Sequence, residues 1–433
     1  VNKMEKFTHE RLKETYFKEI LKNGLTVYLY PKRDFSTTCG YMITKFGSDD
    51  ITFIPNGEKE YYKAPLGIAH FLEHKLFESS TGVDASTMFD SLCASCNAYT
   101  TNDRTVFYFS TTKNEYKCVE TLIDLVQMPY FTDESVEKEK GIIIQEINMH
   151  KNRAGNHLYM NLLNNLYFNL PCKNDIGGTE KSVNAITKED LYKTYNTFYQ
   201  PSNIALVVVG NFELDKMIDV ITQKEESLGD ITPKKIERKI YDEPEKIVNE
   251  DTTSHFDVTI PKVGCAIKID MHNFDKIRHF NDNMYIDYIL DYYFDNSSDF
   301  VQRLKKKGII NGSLSYDVDY TNEYYLITLT ADVNLENIDT FKNELNEELE
   351  KLRNTKFDEL AFTRFKKSTI AYNIEKYNSL VYIAETICNL YMRDIELFEG
   401  SNLKEQLTYE ECDERRQKFK KEMTTFHTVL PLK

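Results

Sequence analysis

Two histidines and a glutamate form the pattern His-x-x-Glu-His at residues 70–74, and this pattern constrains the chain more than any other feature. The surrounding run has a helical pattern, with Pro65 expected near the first helical position, where a missing N–H costs little. Side chains four residues apart lie on one face of a helix, so His70 and His74 can reach one ion. Neutral imidazoles suit Zn²⁺, and Glu73 can lie beside such an ion as a base that takes a proton from water. The alternative is two ordinary histidines on an amphipathic helix.

A catalytic zinc site needs a third protein ligand, and a second helix predicted over residues 132–147 provides one. Glu139 and Glu146 are seven residues apart, which is about two helical turns, so they share a face. Glu146 lies in an apolar stretch and is the predicted ligand, while Glu139 is predicted to hydrogen-bond a ligating histidine. His150 is a lower-ranked alternative ligand. A solvated acidic helix face is the alternative explanation for this pattern.

The segment at residues 67–74, followed by Glu139 and Glu146, resembles the corresponding motif of the inverzincin metallopeptidases. This is the family of pitrilysin, insulin-degrading enzyme and the mitochondrial processing peptidases. Further family-like phrases lie at residues 97–100, 178–180 and 199–203. The resemblance is strong in the first half of the chain and weak in the second, and the length matches short bacterial members with two domains. It implies that His70, His74 and Glu146 bind one zinc per chain and that Glu73 is the general base.

The resemblance also implies where a substrate would lie. In that family a peptide adds to an edge strand, which would contain the predicted substrate-binding residues Asn97, Ala98, Tyr99 and Thr100. Plain sheet structure is an equal alternative for Tyr99. The family also holds substrate with an Arg and a Tyr from a C-terminal domain. The candidates here are Arg303 and Tyr316, which do not have the expected spacing, and Tyr316 is the predicted substrate-binding residue.

The second half of the chain repeats the order of elements of the first. Strands predicted over 315–320 and 325–330 match those over 97–101 and 105–110, and Asn389-Leu390-Tyr391 resembles Asn165-Leu166-Tyr167. A charge-rich segment lies between the two halves. We therefore predict an α+β fold with two homologous domains, each an antiparallel or mixed β-sheet covered by helices. The predicted boundaries are 1–229 for the zinc-binding domain, 230–251 for a linker and 252–433 for a metal-free domain.

Composition narrows the class of partner and compartment. The net charge of −15 argues against nucleic acid as a partner. No apolar signal core or run of about 18 apolar residues is present, so we expect no membrane segment and a cytoplasmic protein. Among the eight cysteines, Cys93 and Cys96 form a lone C-x-x-C. Buried free thiols in a reducing compartment are the favoured interpretation, and a zinc or redox role is the alternative.

Together these features predict a zinc-dependent endopeptidase that hydrolyses peptides or processes leader peptides. The resemblance implies that a partner closes the reaction chamber. A homologous subunit lacking the zinc motif is the predicted partner, in a heterodimer, and a homodimer is the alternative. Two other classes remain open: a catalytically silent assembly subunit, and a peptide-binding module whose zinc is structural.

Overall fold

A computed structural model describes residues 4–229, 232–271 and 275–432. The chain divides into two compact units, and each unit takes residues from both halves of the sequence. The first unit consists of the described residues within Val1–Ile147, Asn174–Ile240 and Asn373–Gly400. The second consists of those within Asn148–Lys173, Tyr241–Tyr372 and Ser401–Lys433. The predicted boundaries at 229 and 252 stay a prediction, and residues 230–231 of the predicted linker lie outside the described residues.

The first unit contains ten strands, which are β1 (Glu5–His9), β2 (Glu14–Ile20), β3 (Thr26–Pro31), β4 (Thr38–Thr44), β5 (Thr52–Ile54), β6 (Tyr62–Lys63), β7 (Ala94–Thr100), β8 (Thr105–Thr111), β9 (Ile204–Gly210) and β10 (Glu237–Arg238). Seven form a sheet in the order β1-β2-β3-β9-β4-β8-β7, in which only β3 and β9 are parallel. A smaller sheet has the order β10-β5-β6. Strand β7 is therefore an edge strand.

The described residues form helices that are numbered in chain order: α1 (Ile68–Leu76), α2 (Ala85–Ser91), α3 (Glu115–Gln127), α4 (Asp133–Lys151), α5 (Ala154–Leu166), α6 (Glu180–Ala185), α7 (Lys188–Phe198), α8 (Leu214–Ser227), α9 (Lys276–Phe294), α10 (Asp299–Lys306), α11 (Ile338–Asn354), α12 (Glu359–Lys376), α13 (Leu380–Tyr391), α14 (Leu397–Glu405) and α15 (Tyr409–Arg415). In the first unit, α3 packs on β4 and β8, and α1 packs beside β7. The buried strand predicted over 204–209 is confirmed as β9, whose seven residues are all buried. A central strand covered on both faces explains its continuous apolar run.

The second unit repeats the topology of the first. Its strands are β11 (Asp251–Phe256), β12 (Lys262–Lys268), β13 (Ile310–Tyr320), β14 (Tyr325–Val333) and β15 (Thr424–Pro431). They form a sheet in the order β11-β15-β12-β14-β13, in which β11 and β15 are parallel and the other pairs antiparallel. This is the order of β3-β9-β4-β8-β7 in the first sheet. The predicted α+β fold with two homologous units, each with a mixed and mainly antiparallel sheet, is confirmed.

Two helices each pack on the sheet formed mainly by the other half of the sequence. Helix α5 lies early in the chain, yet it packs on β12 and β15 of the second unit. Helix α13 lies late in the chain, yet it packs on β4 and β9 of the first unit. The two helices contain the repeated phrases Asn165-Leu166 and Asn389-Leu390-Tyr391, and they cover equivalent strands. Sequence similarity located the equivalent helices but could not tell which sheet each would cover.

One local prediction was wrong. We expected Pro65 near the first helical position of the motif helix, but α1 begins at Ile68. Gly67 precedes the helix with a φ of 88°, a left-handed conformation that ends any helical path from Pro65. In the described part of the chain, no helix combines the length and apolar character needed to cross a bilayer.

Candidate metal centre

Helix α1 presents two different faces. Ile68, Phe71, Leu72 and Leu76 are buried in the core of the first unit. His70, Glu73 and His74 occupy the remaining face and stay partly exposed. Helical periodicity therefore buries one stripe and leaves the three predicted site side chains together on the other.

Backbone contacts between glycines hold the start of α1. A Cβ atom built on Gly67 would lie 2.3 Å from the carbonyl oxygen of Gly177, and one on Gly178 would lie 2.5 Å from the oxygen of Leu66. Both Gly67 and Gly178 have positive φ values, 88° and 78°. Only glycine allows this approach, so the segment at residues 177–178 locates the N-terminus of the histidine helix.

Helix α4 supplies the two acidic side chains. Thr132 caps its start, since its hydroxyl accepts the backbone N–H of Ser135 at 3.1 Å. Val136, Ile143 and Ile147 anchor the helix in the core. Glu139 and Glu146 lie on another stripe of the same helix, two turns apart.

Three potential metal ligands converge at this point. His70 Nε2 lies 3.7 Å from Glu146 Oε2, and His74 Nε2 lies 3.5 Å from the same oxygen. One ligand atom from each of these three side chains lies within 4.8 Å of the other two. Within residues 4–229, 232–271 and 275–432, this is the one group of three or more His, Cys, Asp or Glu side chains that meets this distance. His150, the alternative ligand, does not belong to this group.

The donor set and its spacing fit zinc. Bonds of 2.0–2.1 Å in a tetrahedral site place ligand atoms about 3.3 Å apart, and the two separations of 3.5 and 3.7 Å are close to that value. The side chains of His70, His74 and Glu146 are 14%, 24% and 34% exposed, so the cluster is accessible to water. Three protein ligands with access for a fourth group are typical of catalytic rather than structural zinc sites.

Glu139 contacts the other side of the His74 ring. His74 Nδ1 donates to Glu139 Oε1 over 2.9 Å, which leaves Nε2 facing Glu146. This hydrogen bond holds the pKa of Glu139 below its ordinary value, against the opposing effect of burial. Burial alone would lower the pKa of His74, but the carboxylates of Glu139, Glu73 and Glu146 outweigh it and raise that pKa.

Glu73 lies beside the cluster, and its Oε2 accepts a hydrogen bond from the Thr100 hydroxyl at 2.5 Å. Burial raises the pKa of Glu73 above its ordinary value, and Glu146 adds to the effect. The Thr100 hydroxyl and His74 oppose it without cancelling it. A carboxylate with a raised pKa next to a candidate metal-ligand group is compatible with a general base, and that role of Glu73 stays a prediction.

The predicted substrate strand is β7, and its side chains point in different directions. The Tyr99 hydroxyl donates to Glu385 of α13 at 2.9 Å, whereas Thr100 turns toward Glu73 of α1. The Asn97 side chain accepts the backbone N–H of Ala98 at 2.8 Å. Substrate contact by these four residues stays a prediction.

The two candidate substrate-holding residues of the second unit have partners within that unit. Arg303 lies 3.4 Å from Glu344 and 3.3 Å from Glu348 of α11. The Tyr316 hydroxyl donates to Asp291 over 3.4 Å. A role for Tyr316 in substrate binding stays a prediction.

Sequence reasoning missed Lys75, which is fully buried on the apolar face of α1. Its ammonium group donates to the Ser135 hydroxyl at 2.8 Å and pairs with Glu78 at 2.5 Å. Lys75 thus ties the histidine helix to the first turn of α4. The sequence did contain an indication of this contact. Lys75 follows Ile68 by seven residues and therefore lies on the apolar stripe, where a charged group needs a specific partner.

Models of two protein domains match this chain. The model described as insulinase, peptidase family M16, matches residues 53–180, and that described as peptidase M16 inactive domain matches residues 185–369. A protein of Bacillus subtilis named uncharacterized zinc protease YmfH is 35% identical over 408 residues, which is 93% of each chain.

This chain belongs to the M16 peptidase family.

Other M16 proteins agree with this assignment. The crystal structure of an M16-like peptidase from Alicyclobacillus acidocaldarius superposes with a TM-score of 0.90 at 31% identity and covers 99% of both chains. The human mitochondrial-processing peptidase subunit beta is 27% identical over 158 residues, covering 36% of this chain and 32% of that protein. The predicted resemblance to the inverzincin family is confirmed.

Proposed function

We propose that this M16 chain is a zinc-dependent endopeptidase. The observation that best supports this proposal is that His70 Nε2 and His74 Nε2 lie 3.7 and 3.5 Å from one oxygen of Glu146, with Glu73 beside them. His70, His74 and Glu146 would hold the metal. The names of the relatives, zinc protease and processing peptidase, support this assignment.

Each residue of the site has a distinct task. When bound, zinc supplies Lewis-acid chemistry that polarises a peptide carbonyl and makes water more acidic. Glu73 takes the proton from the attacking water and later returns it to the leaving amine. Glu139 keeps the His74 ring oriented through Nδ1. The reaction is hydrolysis, so water and one peptide bond are consumed and a carboxylate and an amine are released.

Two observations argue against the alternative classes. A structural zinc site usually has four protein ligands, whereas three ligand side chains meet here among the described residues. A silent assembly subunit has no need of a base, yet Glu73 lies beside the cluster, and in the described part of the chain its hydrogen bond, from Thr100, engages Oε2 alone. These arguments favour an active peptidase.

An extended peptide is the substrate form that the edge strand favours. Among the described strands, β7 lies at the edge of its sheet with one side unpaired, and its last residue, Thr100, reaches Glu73. A peptide that pairs with β7 would therefore run past the base, with main-chain hydrogen bonds providing affinity. Unstructured peptides, including leader peptides, meet this requirement because they can become extended without prior unfolding.

A homologous partner without the zinc motif forms part of this proposal. The human relative is named as a subunit, and the second half of this chain matches an inactive-domain model. Arg303 is paired with Glu344 and Glu348 inside its own unit. A partner would then supply the groups that hold substrate, and a homodimer is the alternative.

Glu73→Gln tests the function. The amide cannot accept the proton, so the variant should retain zinc and fold but lose peptide cleavage. Cleavage of an unstructured peptide library, with the homologue present, would be followed by mass spectrometry, with zinc measured by atomic emission. Glu137→Gln is the matched control, because Glu137 lies on α4 with a side chain that is 74% exposed. Equal cleavage by Glu73→Gln and wild type would exclude Glu73 as the base. A zinc-loaded wild type that cleaves nothing, alone or with the homologue, would favour the silent subunit.

A further inference from the structure

We propose that Thr100 is a positioning residue that orients the carboxylate of Glu73, an inference that rests on the proposed peptidase function. Its hydroxyl donates to Glu73 Oε2 at 2.5 Å. This role differs from the substrate contact that the family resemblance implies for the strand. Thr100 would act through Glu73 and would not touch the peptide bond that is cut.

The position of Thr100 is determined by contacts on both sides of it. Thr100 pairs with Thr105 of β8, and the next residue, Thr101, donates its N–H to the Arg104 carbonyl at 2.8 Å. The preceding side chain, Tyr99, is held by Glu385 at 2.9 Å. Threonine is also β-branched, which restricts rotation about its χ1 bond. The hydroxyl is thus presented to Glu73 from a rigid support.

The hydrogen bond gives the two oxygens of Glu73 different tasks. Among the described residues, Thr100 is the hydrogen-bond donor to this carboxylate, and it engages Oε2. Oε1 is left to accept a proton from water. A carboxylate without this bond would rotate about its terminal torsion, which is a broad one, and would spend less time in a productive orientation. The neutral hydroxyl cannot itself replace the base.

Removal of the Thr100 hydroxyl would have different effects if Thr100 positions Glu73, contacts the substrate or only stabilises the fold. Loss of positioning should lower kcat with little change in KM, because the base is misoriented after the substrate has bound. Loss of a substrate contact should mainly raise KM. Loss of a purely structural bond should lower stability and leave kcat unchanged once the protein is folded.

Three threonine variants, each assayed beside wild type with the homologous subunit present, form the main experiment. Thr100→Val keeps the shape of the side chain without the hydroxyl and should lower kcat roughly 10- to 100-fold, with KM within about threefold and zinc content unchanged. Thr100→Ser keeps the hydroxyl and should restore kcat to within about fivefold of wild type. Thr101→Val is the matched control, because the Thr101 hydroxyl bonds Asp103 and not Glu73; its kcat should be that of wild type.

A second measurement needs neither zinc nor activity. Urea unfolding of the metal-free protein would be compared for wild type, Thr100→Val, Glu73→Ala and the double variant. If the bond forms, the shift in midpoint caused by Thr100→Val should be larger when Glu73 is present than when it is absent. Should Thr100→Val fail to fold, Thr100→Ala replaces it in both measurements.

Several results would overturn the inference. These are a change confined to KM, a serine variant as slow as the valine variant, and independent effects of the two sites on unfolding. A failure of the proposed function looks different, since zinc-loaded wild type would then cleave no peptide with or without the homologue. An active wild type, an inactive Glu73→Gln and a fully active Thr100→Val would reject this inference alone.

Discussion

Glu139 Oε1 lies 2.9 Å from His74 Nδ1, so the carboxylate of one helix sets the orientation of the imidazole of another. With Nδ1 engaged, His74 Nε2 is the nitrogen that faces Glu146, 3.5 Å away. The contact joins residues 65 positions apart in the sequence. It places Glu139 beside the candidate metal centre, although Glu139 is not a member of the ligand group.

Glu139→Gln should weaken zinc binding without abolishing it. The amide keeps the shape of the side chain but removes the charge that supports the His74 ring, and losses of this kind cost about 10- to 100-fold in metal affinity. The zinc Kd would be measured by competition with a chromophoric chelator. Glu137→Gln, on the exposed side of the same helix, should bind zinc as wild type does. Unchanged affinity in Glu139→Gln would contradict the assigned role.

Changes to the ligand group should have larger effects. Glu146→Gln should lower the zinc affinity by more than Glu139→Gln, for which a loss of roughly 100-fold is the upper limit, because it removes an anionic ligand. His70→Ala combined with His74→Ala should leave the purified chain without zinc, and a chelator should stop peptide cleavage by wild type. Metal analysis provides the readout. Full zinc occupancy in the double histidine variant would show that the metal is bound elsewhere.

Gly67→Ala should destabilise the first unit by roughly 2–5 kcal/mol, since it adds left-handed backbone strain to a steric clash. The clash is with the Gly177 carbonyl oxygen, which lies 2.3 Å from the built Cβ. Gly141→Ala is the contrasting control: Gly141 lies inside α4, and among the described residues a Cβ added there has no neighbour within 4 Å beyond its own stretch of helix. That substitution should stabilise by about 0.5–1 kcal/mol. Urea unfolding followed by circular dichroism would compare them, and equal effects would refute the glycine contact.

The partner proposal predicts complementation. The purified chain should cleave unstructured peptides slowly or not at all, because substrate held by a partner contributes to rate as well as affinity. Addition of a homologue lacking His-x-x-Glu-His should restore cleavage at a one-to-one ratio. Light scattering combined with a peptide assay would measure both. Full activity from a monomer or homodimer, unaffected by the homologue, would reject the heterodimer.

Local patterns in the sequence were sufficient for several features. The four-residue spacing of His70 and His74 and the seven-residue spacing of Glu139 and Glu146 follow helical periodicity, so each pair shares a face whatever the rest of the chain does. The repeated strands over 315–320 and 325–330 were equally readable and are confirmed as β13 and β14. The start of α1 was misplaced because Gly67 adopts a left-handed conformation at its close approach to Gly177, a contact between distant parts of the chain.

The sequence by itself therefore determined the family, the α+β fold and the candidate residues on each helix. Only the tertiary structure decided that Glu146 approaches both histidines, that Thr100 reaches Glu73 and that Tyr99 turns to Glu385. It also decided that α5 covers the second sheet and α13 the first. The physical reason is the sequence separation of the contacts. Hydrogen bonds within a helix join residues four apart, and the helix therefore produces a periodic pattern in the sequence. Contacts between elements depend instead on packing across the whole chain, which leaves no such pattern.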